Sequence, residues 1–445
     1  MHPFDMQSVE LIQRRSRQNA GQRRWQIQKT SQMEGISTLT VALAGFGLGS
    51  IPLLETWDRI RYLRISQFIL LSVALSIAVE TFFRRKRALI LPFSVGLFVL
   101  WALWAGATIL LMPSSESLPA LRYLYVAKTT VLVVVFANVV HNRRQLLLIL
   151  FLLVLSVPIV LALNYGGLQE VRQSNVLESR LAGTIASANE FALYTVIAVW
   201  ISLAFFFTTK HLVRITSLLC ACFASVLTTF TGSRQGMLGL LAVMPLFYLY
   251  YFRRRSKSVY SRVATFALTL LLTLGAIFVI IHSPFGYRFE DALSGAGGVN
   301  ERIEYHKAGL RMWLSRPITG LGFEQFRFQA ADYYDSTSSN YGQYSHSTFI
   351  ALLSCMGTVG FLLYLASILR LYVELYRAST RAISNIDTTI LRLAMGFILL
   401  LGMFHFSTVV FFSRLTWLLL ALLAGYAHRL SHQDQQSSFL PIKYL

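Results

Sequence analysis

One histidine, His346, stands between two hydroxyl residues in the stretch YSHST, just before a long apolar segment. Ser345 and Ser347 flank it, and the chain is almost entirely apolar from Phe349 onward. If Ser345 caps the helix that follows, His346 lies in its first turn, where the helix dipole disfavours a positive imidazolium. A neutral histidine can accept a proton, so this placement predicts a general base. The alternative is a structural histidine bonded to backbone.

A second set of candidate residues is a group of arginines in segments that the topology below places on the outer side of a membrane. Within TGSRQG, Gly232 and Ser233 give backbone N–H groups room to approach an anion beside Arg234. Guanidinium groups bind phosphate in a planar, bidentate way. Each arginine alone could instead reach toward lipid phosphate. Together they predict a clamp for an oligo-anion, with a membrane-borne pyrophosphate as the natural ligand. The set is Arg180, Arg234, Arg302 and Arg414.

The elements that position these residues are predicted to be membrane helices. Of the 445 residues, 55% are hydrophobic and only 13% are charged, about half the charged fraction of soluble domains. Apolar blocks of about 20 residues predict an all-α integral membrane protein with about twelve spans. The predicted spans are 36–54, 66–83, 88–111, 121–140, 145–164, 187–207, 211–230, 236–252, 262–282, 347–369, 390–411 and 413–430.

The net charge of +20 is spread over short basic clusters between the apolar blocks. These clusters fall in alternate loops, which predicts cytoplasmic termini and attraction to membrane lipids. No nucleic-acid-binding motif accompanies the charge, so we expect no nucleic-acid partner. The predicted organisation is a basic cytoplasmic arm (1–35), a membrane domain (36–430) and a cytoplasmic tail (431–445).

Two long polar stretches are predicted on the outer side, at 165–186 and 283–345. The larger one contains NERIEYHKAGLRMWLSRP, a helical pattern that Asn300 can cap and Pro317 ends. His306 lies on this helix and could face either way. Its apolar residues predict an amphipathic helix lying on the membrane or over a cavity. These residues are Ile303, Leu310, Trp313 and Leu314.

Several common chemistries find no support in the sequence. No HExxH, DxD, Walker or GxSxG motif is present, so we expect a reaction without metal or cofactor rather than a hydrolase or ATPase. A transporter is the rival from another class, but it should carry polar residues at mid-membrane on paired broken helices. Here the polar residues concentrate in outer loops. A non-catalytic scaffold is a further rival, and it would tolerate loss of His346.

The order of four blocks resembles the O-antigen ligase and O-antigen polymerase superfamily of bacterial membrane glycosyltransferases. The blocks are SRLAGTIASANEFA, TGSRQG, NERIEYHKAGLRMWLSRPITGLGFEQF and YSHSTFIALLSCMGTVGFLLYL. The motif resemblance covers about residues 180–365. The residues that carry it are Arg302, Trp313, Pro317, Gly320, Gly322, His346, Gly357 and Gly360. The family usually has Asn after the histidine, where this chain has Ser347.

This resemblance implies transfer of a glycan from undecaprenyl pyrophosphate to an acceptor sugar hydroxyl, at the periplasmic face of the bacterial inner membrane. His346 would be the base, and Arg234 and Arg302, with Ser233 beside them, would hold the pyrophosphate; Arg180 is a third clamp residue. A ligase passes the finished chain to lipid A–core, whereas a polymerase joins lipid-linked repeat units. A protein O-oligosaccharyltransferase belongs to the same class.

Overall fold

The chain is an all-helical bundle in a computed structural model that describes residues 38–60, 65–79, 89–111, 118–165, 187–253, 258–282, 299–334 and 344–438. No strand occurs among these residues. The helices are α1 Thr38–Ile60, α2 Ile65–Ala78, α3 Phe93–Leu111, α4 Leu118–Phe136, α5 Arg143–Tyr165, α6 Ala188–Thr208, α7 His211–Phe230, α8 Arg234–Phe247, α9 Val259–Ile281, α10 Val299–Ser315, α11 Phe326–Gln329, α12 Thr348–Arg381, α13 Asn385–His405 and α14 Arg414–Ser438.

The predicted all-α architecture is confirmed, and each predicted span overlaps a helix of this bundle. Eight helices within the described part are long and apolar enough to cross a membrane. Shorter apolar stretches occupy Leu39–Ile51, Ile69–Ala78 and Val259–Gly275. The number of crossings therefore stays a prediction. The basic arm and Arg180 lie outside the described residues.

Apolar side chains on the outside of the bundle indicate that it is embedded in lipid. On α9, Phe266 is 52% exposed, Leu271 66% and Phe278 63%. Large contiguous apolar surfaces are rare on soluble monomers. The inverse pattern holds for α6, which is buried on most of its surface and packs against α5, α7, α8 and α13. An apolar helix without a polar face is typical of the centre of such a bundle.

Helix α12 is broken at Gly357, which has φ 66° and ψ −169°. The sequence predicted no paired broken helices. The break in α12 was not predicted, because the segment around Gly357 is a continuous apolar run. A Cβ on Gly357 would lie 2.2 Å from Ile318 O, and one on Gly320 (φ 66°) would lie 2.5 Å from Cys355 C. Both glycines are needed because two backbones pass in contact here.

The segment 317–322 fills the break and pairs with the backbone groups that the helix leaves free. These N–H donors and carbonyl acceptors are Leu321 to Ser354 O (2.9 Å), Gly322 to Cys355 O (2.9 Å), Thr358 to Pro317 O (2.8 Å) and Val359 to Ile318 O (3.4 Å). The Trp104 indole donates to Met356 O at 2.9 Å. Buried backbone groups need such partners, so the break is stable only with this segment in place.

Candidate functional site

Helix α10 brings Arg302 and His306 to α12. Its buried face is formed by Tyr305, Ala308 and Met312, and Gly309 allows close approach, since a Cβ there would lie 2.2 Å from Ile350 Cγ2. The helix itself is as predicted, but one detail was wrong. Asn300 lies inside the helix rather than capping it.

The predicted apolar face of α10 is turned away from the rest of the bundle. Ile303, Leu310 and Leu314, which the sequence pattern places on one face, are 47%, 41% and 65% exposed. They lie on the outer side of α10 because the inner side is taken by Tyr305 and its neighbours. This leaves an apolar surface that suits contact with lipid, which agrees with the expected amphipathic character.

His346 lies just outside α12, in an unusual backbone conformation. Its φ is 53°, and Ser347 is the N-cap, with helical structure starting at Thr348. The prediction that His346 occupies the first helical turn was therefore wrong. Ser345 Oγ donates to Ser347 O at 2.8 Å, which tightens the segment around the histidine. The imidazole packs on the Tyr305 ring with 5.7 Å between ring centroids.

The neutral form of His346 is favoured, as expected, although the cause differs. Burial is the largest cause that lowers its pKa, and together with the charge of Arg302 and of protonated His306 it brings the pKa to about 4. The pKa of His306 is also lowered, first by burial and then by Arg302, against a backbone hydrogen bond to Ser345. Thus Arg302, His306 and His346 share one electrostatic environment, with both histidines neutral near pH 7.

Ser233 and Arg234 stand at the start of α8. Ser233 is the N-cap: its Oγ accepts from Gly236 N and donates to Asn189 Oδ1 at 2.9 Å. Its backbone N–H donates to Thr231 Oγ1 at 3.1 Å, so this group is already used within the turn. Arg234 is the first residue of α8 and is half-buried. The helix N-terminus adds partial positive charge beside its guanidinium.

A chain of hydrogen bonds joins the start of α8 to the start of α12. Gln235 donates to Ser407 O and accepts from the Thr408 hydroxyl. Thr408 O in turn accepts from Thr348 Oγ1 at 2.7 Å. Thr348 is two residues from His346, so Ser233 and Arg234 lie at the same end of the bundle as the histidine. The structure thus groups Arg302 with His346 and links Arg234 to them indirectly.

A buried carboxyl group near the site was not singled out from the sequence. Glu324 has φ 64° and is 5% exposed. Burial raises its pKa to about 7, against the opposing effects of Arg122, Arg327 and Tyr344. Tyr344 hydroxyl lies 3.5 Å from Glu324 Oε2 and accepts from Arg327 at 3.3 Å. A glutamate two residues after Gly322 could have been noticed in the sequence, but its burial depends on how the turn at residues 320–322 docks.

Arg414, the last of the predicted outer arginines, packs against an aromatic ring. Its guanidinium carbon is 4.6 Å from the centroid of the Tyr125 ring, and the side chain lines a small pocket with Glu190 and Phe412. Stacking of this kind stabilises a partly buried arginine. Its contacts give Arg414 a packing role between α4, α6 and α14.

These observations define a multi-pass, all-helical membrane protein with a histidine and arginine site at one end of the bundle. Residues 216–365 match the family model described as O-antigen ligase, and this match supports the O-antigen ligase superfamily. This match confirms the resemblance and includes His346, Ser233, Arg234 and Arg302, but neither Arg180 nor Arg414. Comparison with curated proteins gave no match. Function of the O-antigen ligase or polymerase type is thereby supported in general.

Proposed function

We propose that this protein transfers a glycan from undecaprenyl pyrophosphate to a sugar hydroxyl of lipid A–core. The observation that carries the proposal is the placement of His346, a half-buried neutral histidine, beside Arg302. A base and a phosphate-binding cation are the two groups that such a transfer requires. The donor supplies its own leaving group, so the reaction calls for no nucleotide, metal or other cofactor.

His346 acts as the general base in this proposal. An imidazole nitrogen takes the proton of the acceptor hydroxyl as that oxygen attacks the anomeric carbon of the donor. The bond between this carbon and the pyrophosphate oxygen breaks, and its electron pair leaves with the pyrophosphate. A single displacement from the opposite side inverts the anomeric centre. The proton ends on His346 and is later released to solvent.

The arginines stabilise the pyrophosphate as its negative charge grows. Arg302 is beside the base, and Arg234 adds a guanidinium at a helix N-terminus, which favours anions. Arg180 remains a third candidate from the sequence. Preorganised cations of this kind are often the largest contribution to catalysis. The pKa of about 4 for His346 is low for a base working near pH 7, but a bound pyrophosphate offsets Arg302 and raises it.

We place this chemistry at the periplasmic face of the bacterial inner membrane, as the alternation of basic loops predicts. A transporter is disfavoured by the way α12 breaks. Transporters use the free backbone groups of broken helices to bind substrate. Here Ser354 O, Cys355 O and Met356 O are all paired within the protein, so the break serves to dock segment 317–322.

Substitutions at the site test the proposal. We expect His346→Ala to insert and fold yet transfer no glycan from a purified lipid-linked donor. Arg302→Lys and Arg234→Lys should lose about 100-fold or more in kcat, because lysine keeps the charge but not the bidentate geometry. Arg311→Lys is the matched control, since this arginine of α10 is exposed and donates to Tyr333 O at 2.8 Å. Normal transfer by His346→Ala refutes the base assignment.

A polymerase is the second candidate, because it needs the same base and clamp and differs only in the acceptor. Glycan length in a strain that lacks this protein separates the two. A ligase leaves full-length polymer on the lipid carrier, as we expect, whereas a polymerase leaves single repeat units. Glycan missing from a protein instead of from lipid A–core indicates a protein O-oligosaccharyltransferase.

A further inference from the structure

His306 lies between the helix that carries Arg302 and the segment that carries His346. It is half-buried and hydrogen-bonds to the backbone of Ser345. Its Nε2 is buried without a hydrogen-bond partner among the described residues. It is also close enough to His346 to affect its charge. The sequence left the direction of this side chain open, and the structure turns it toward the proposed site.

The positions of Arg302 and His306 along α10 explain the effect of the hydrogen bond between His306 and Ser345. Arg302 and His306 are four residues apart, so they lie on the same helix face, one turn from each other. The helix between them is rigid and packs on α12 through Tyr305 and Met312. Helix α10 therefore carries both Arg302 and His306, and His306 holds the backbone of Ser345 beside His346. The φ of 53° at His346 is a conformation that needs such support.

We propose that His306 is a positioning residue: its hydrogen bond to Ser345 fixes His346 at a set distance from Arg302. This inference rests on the proposed function of His346 and Arg302. Charged and titratable groups near His306 and His346 include Arg302 and Tyr305 on α10. Tyr334 faces Tyr305, with 5.8 Å between the ring centroids. His405 lies at the end of α13, and its carbonyl accepts a hydrogen bond from Ser347.

The test compares two substitutions in the full-length protein. His306→Ala removes the bond to Ser345, and we expect kcat to fall about 100-fold, since a displacement of about 1 Å can cost this much. KM for the lipid-linked donor should change little. His306→Asn keeps an N–H donor near the position of Nδ1 and should restore most of kcat. Lys307→Ala, which removes an exposed neighbour paired with Glu304 at 2.9 Å, is the matched control.

The pH profile gives a readout that a merely structural role would not move. In the wild type, a proton on His306 opposes a second proton on His346. The acid limb of kcat/KM should therefore move to higher pH in His306→Asn. The positioning role is refuted if the acid limb of His306→Asn stays in place and this variant is as inactive as His306→Ala. Normal transfer by His306→Ala refutes it as well. If His306→Ala does not fold, the limb shift in His306→Asn alone decides.

The base assignment and the positioning role fail in different ways. Transfer by His346→Ala overturns the proposed function whatever the His306 variants do. An inactive His346→Ala together with fully active His306 variants overturns only the positioning role.

Discussion

Substitution of Gly357 by alanine tests whether the break in α12 holds the site together. A Cβ at this position would lie 2.2 Å from Ile318 O and 2.6 Å from Gly320 N. Both atoms belong to backbone, so neither can yield as a flexible side chain does. The φ of 66° and ψ of −169° would cost a further 1–3 kcal/mol or so for any residue except glycine.

The cost of Gly357→Ala can be worked out from these contacts. Relief of the clash requires segment 317–322 to move away from α12. The four backbone hydrogen bonds across the break are then strained, and each is worth about 0.5–1.5 kcal/mol. We expect a total loss of at least about 3 kcal/mol, and a melting temperature lower by about 3 °C or more. Since the segment follows α10, Arg302 moves relative to His346 and transfer falls about 100-fold.

The assay is thermal melting of the purified protein in detergent, with glycan transfer measured on the same preparation. Gly402→Ala is the matched control. Gly402 lies in α13, and a Cβ there has no atom within 4 Å, so the substitution should be neutral or slightly stabilising, by up to about 1 kcal/mol. Equal melting temperatures for Gly357→Ala and Gly402→Ala would refute the reasoning.

Three other measurements test the electrostatics and packing of the site. The acid limb of kcat/KM, which reports the free enzyme, should lie near pH 4, as the pKa of His346 implies. The limb of kcat should lie about two pH units higher, because one phosphate charge about 5 Å away contributes about 3 kcal/mol at an effective dielectric constant near 20; coincident limbs contradict this. The pKa of Glu324 is raised from 4.5 to about 7, so the folded protein binds this proton more tightly than the unfolded chain does. The resulting stabilisation is complete below about pH 4.5, and up to about 3 kcal/mol of it is lost as the pH rises through 7. Melting at pH 5 and pH 8 should show this loss in the wild type and not in Glu324→Gln. Trp104→Phe leaves Met356 O without its donor and should cost about 1–3 kcal/mol; an unchanged melting temperature would show that another donor replaces it.

The helices could be predicted because their signal is local. An apolar block of about 20 residues has few alternatives to a buried helix, and α6 and α7 begin and end within a residue or two of the predicted limits. Helix α10 was predicted for the same reason. Its packing face could not be read from the sequence, because lipid and protein both accept apolar side chains and the helix has both as neighbours.

The break in α12 depends on contacts that no local pattern reveals. GTVG inside an apolar run reads as a continuous helix, and GLG in a loop reads as a turn. The contact between these two segments explains both glycines, because Gly320 and Gly357 each leave space for the backbone of the other segment. The same holds for Glu324, whose burial follows from the docking of this turn. The direction of His306 likewise follows from the packing of α10 on α12.

The backbone at His346 gives the most direct reason to treat this histidine as functional. A residue other than glycine with positive φ carries a cost that a purely structural histidine in the first turn of α12 would avoid. The fold pays no such cost at Ser347, which is extended and caps the helix. Instead, the turn before α12 directs His346 away from that helix and packs its ring against Tyr305. Tyr305 belongs to α10, which also carries Arg302. This conformation therefore places the imidazole against the helix that carries Arg302.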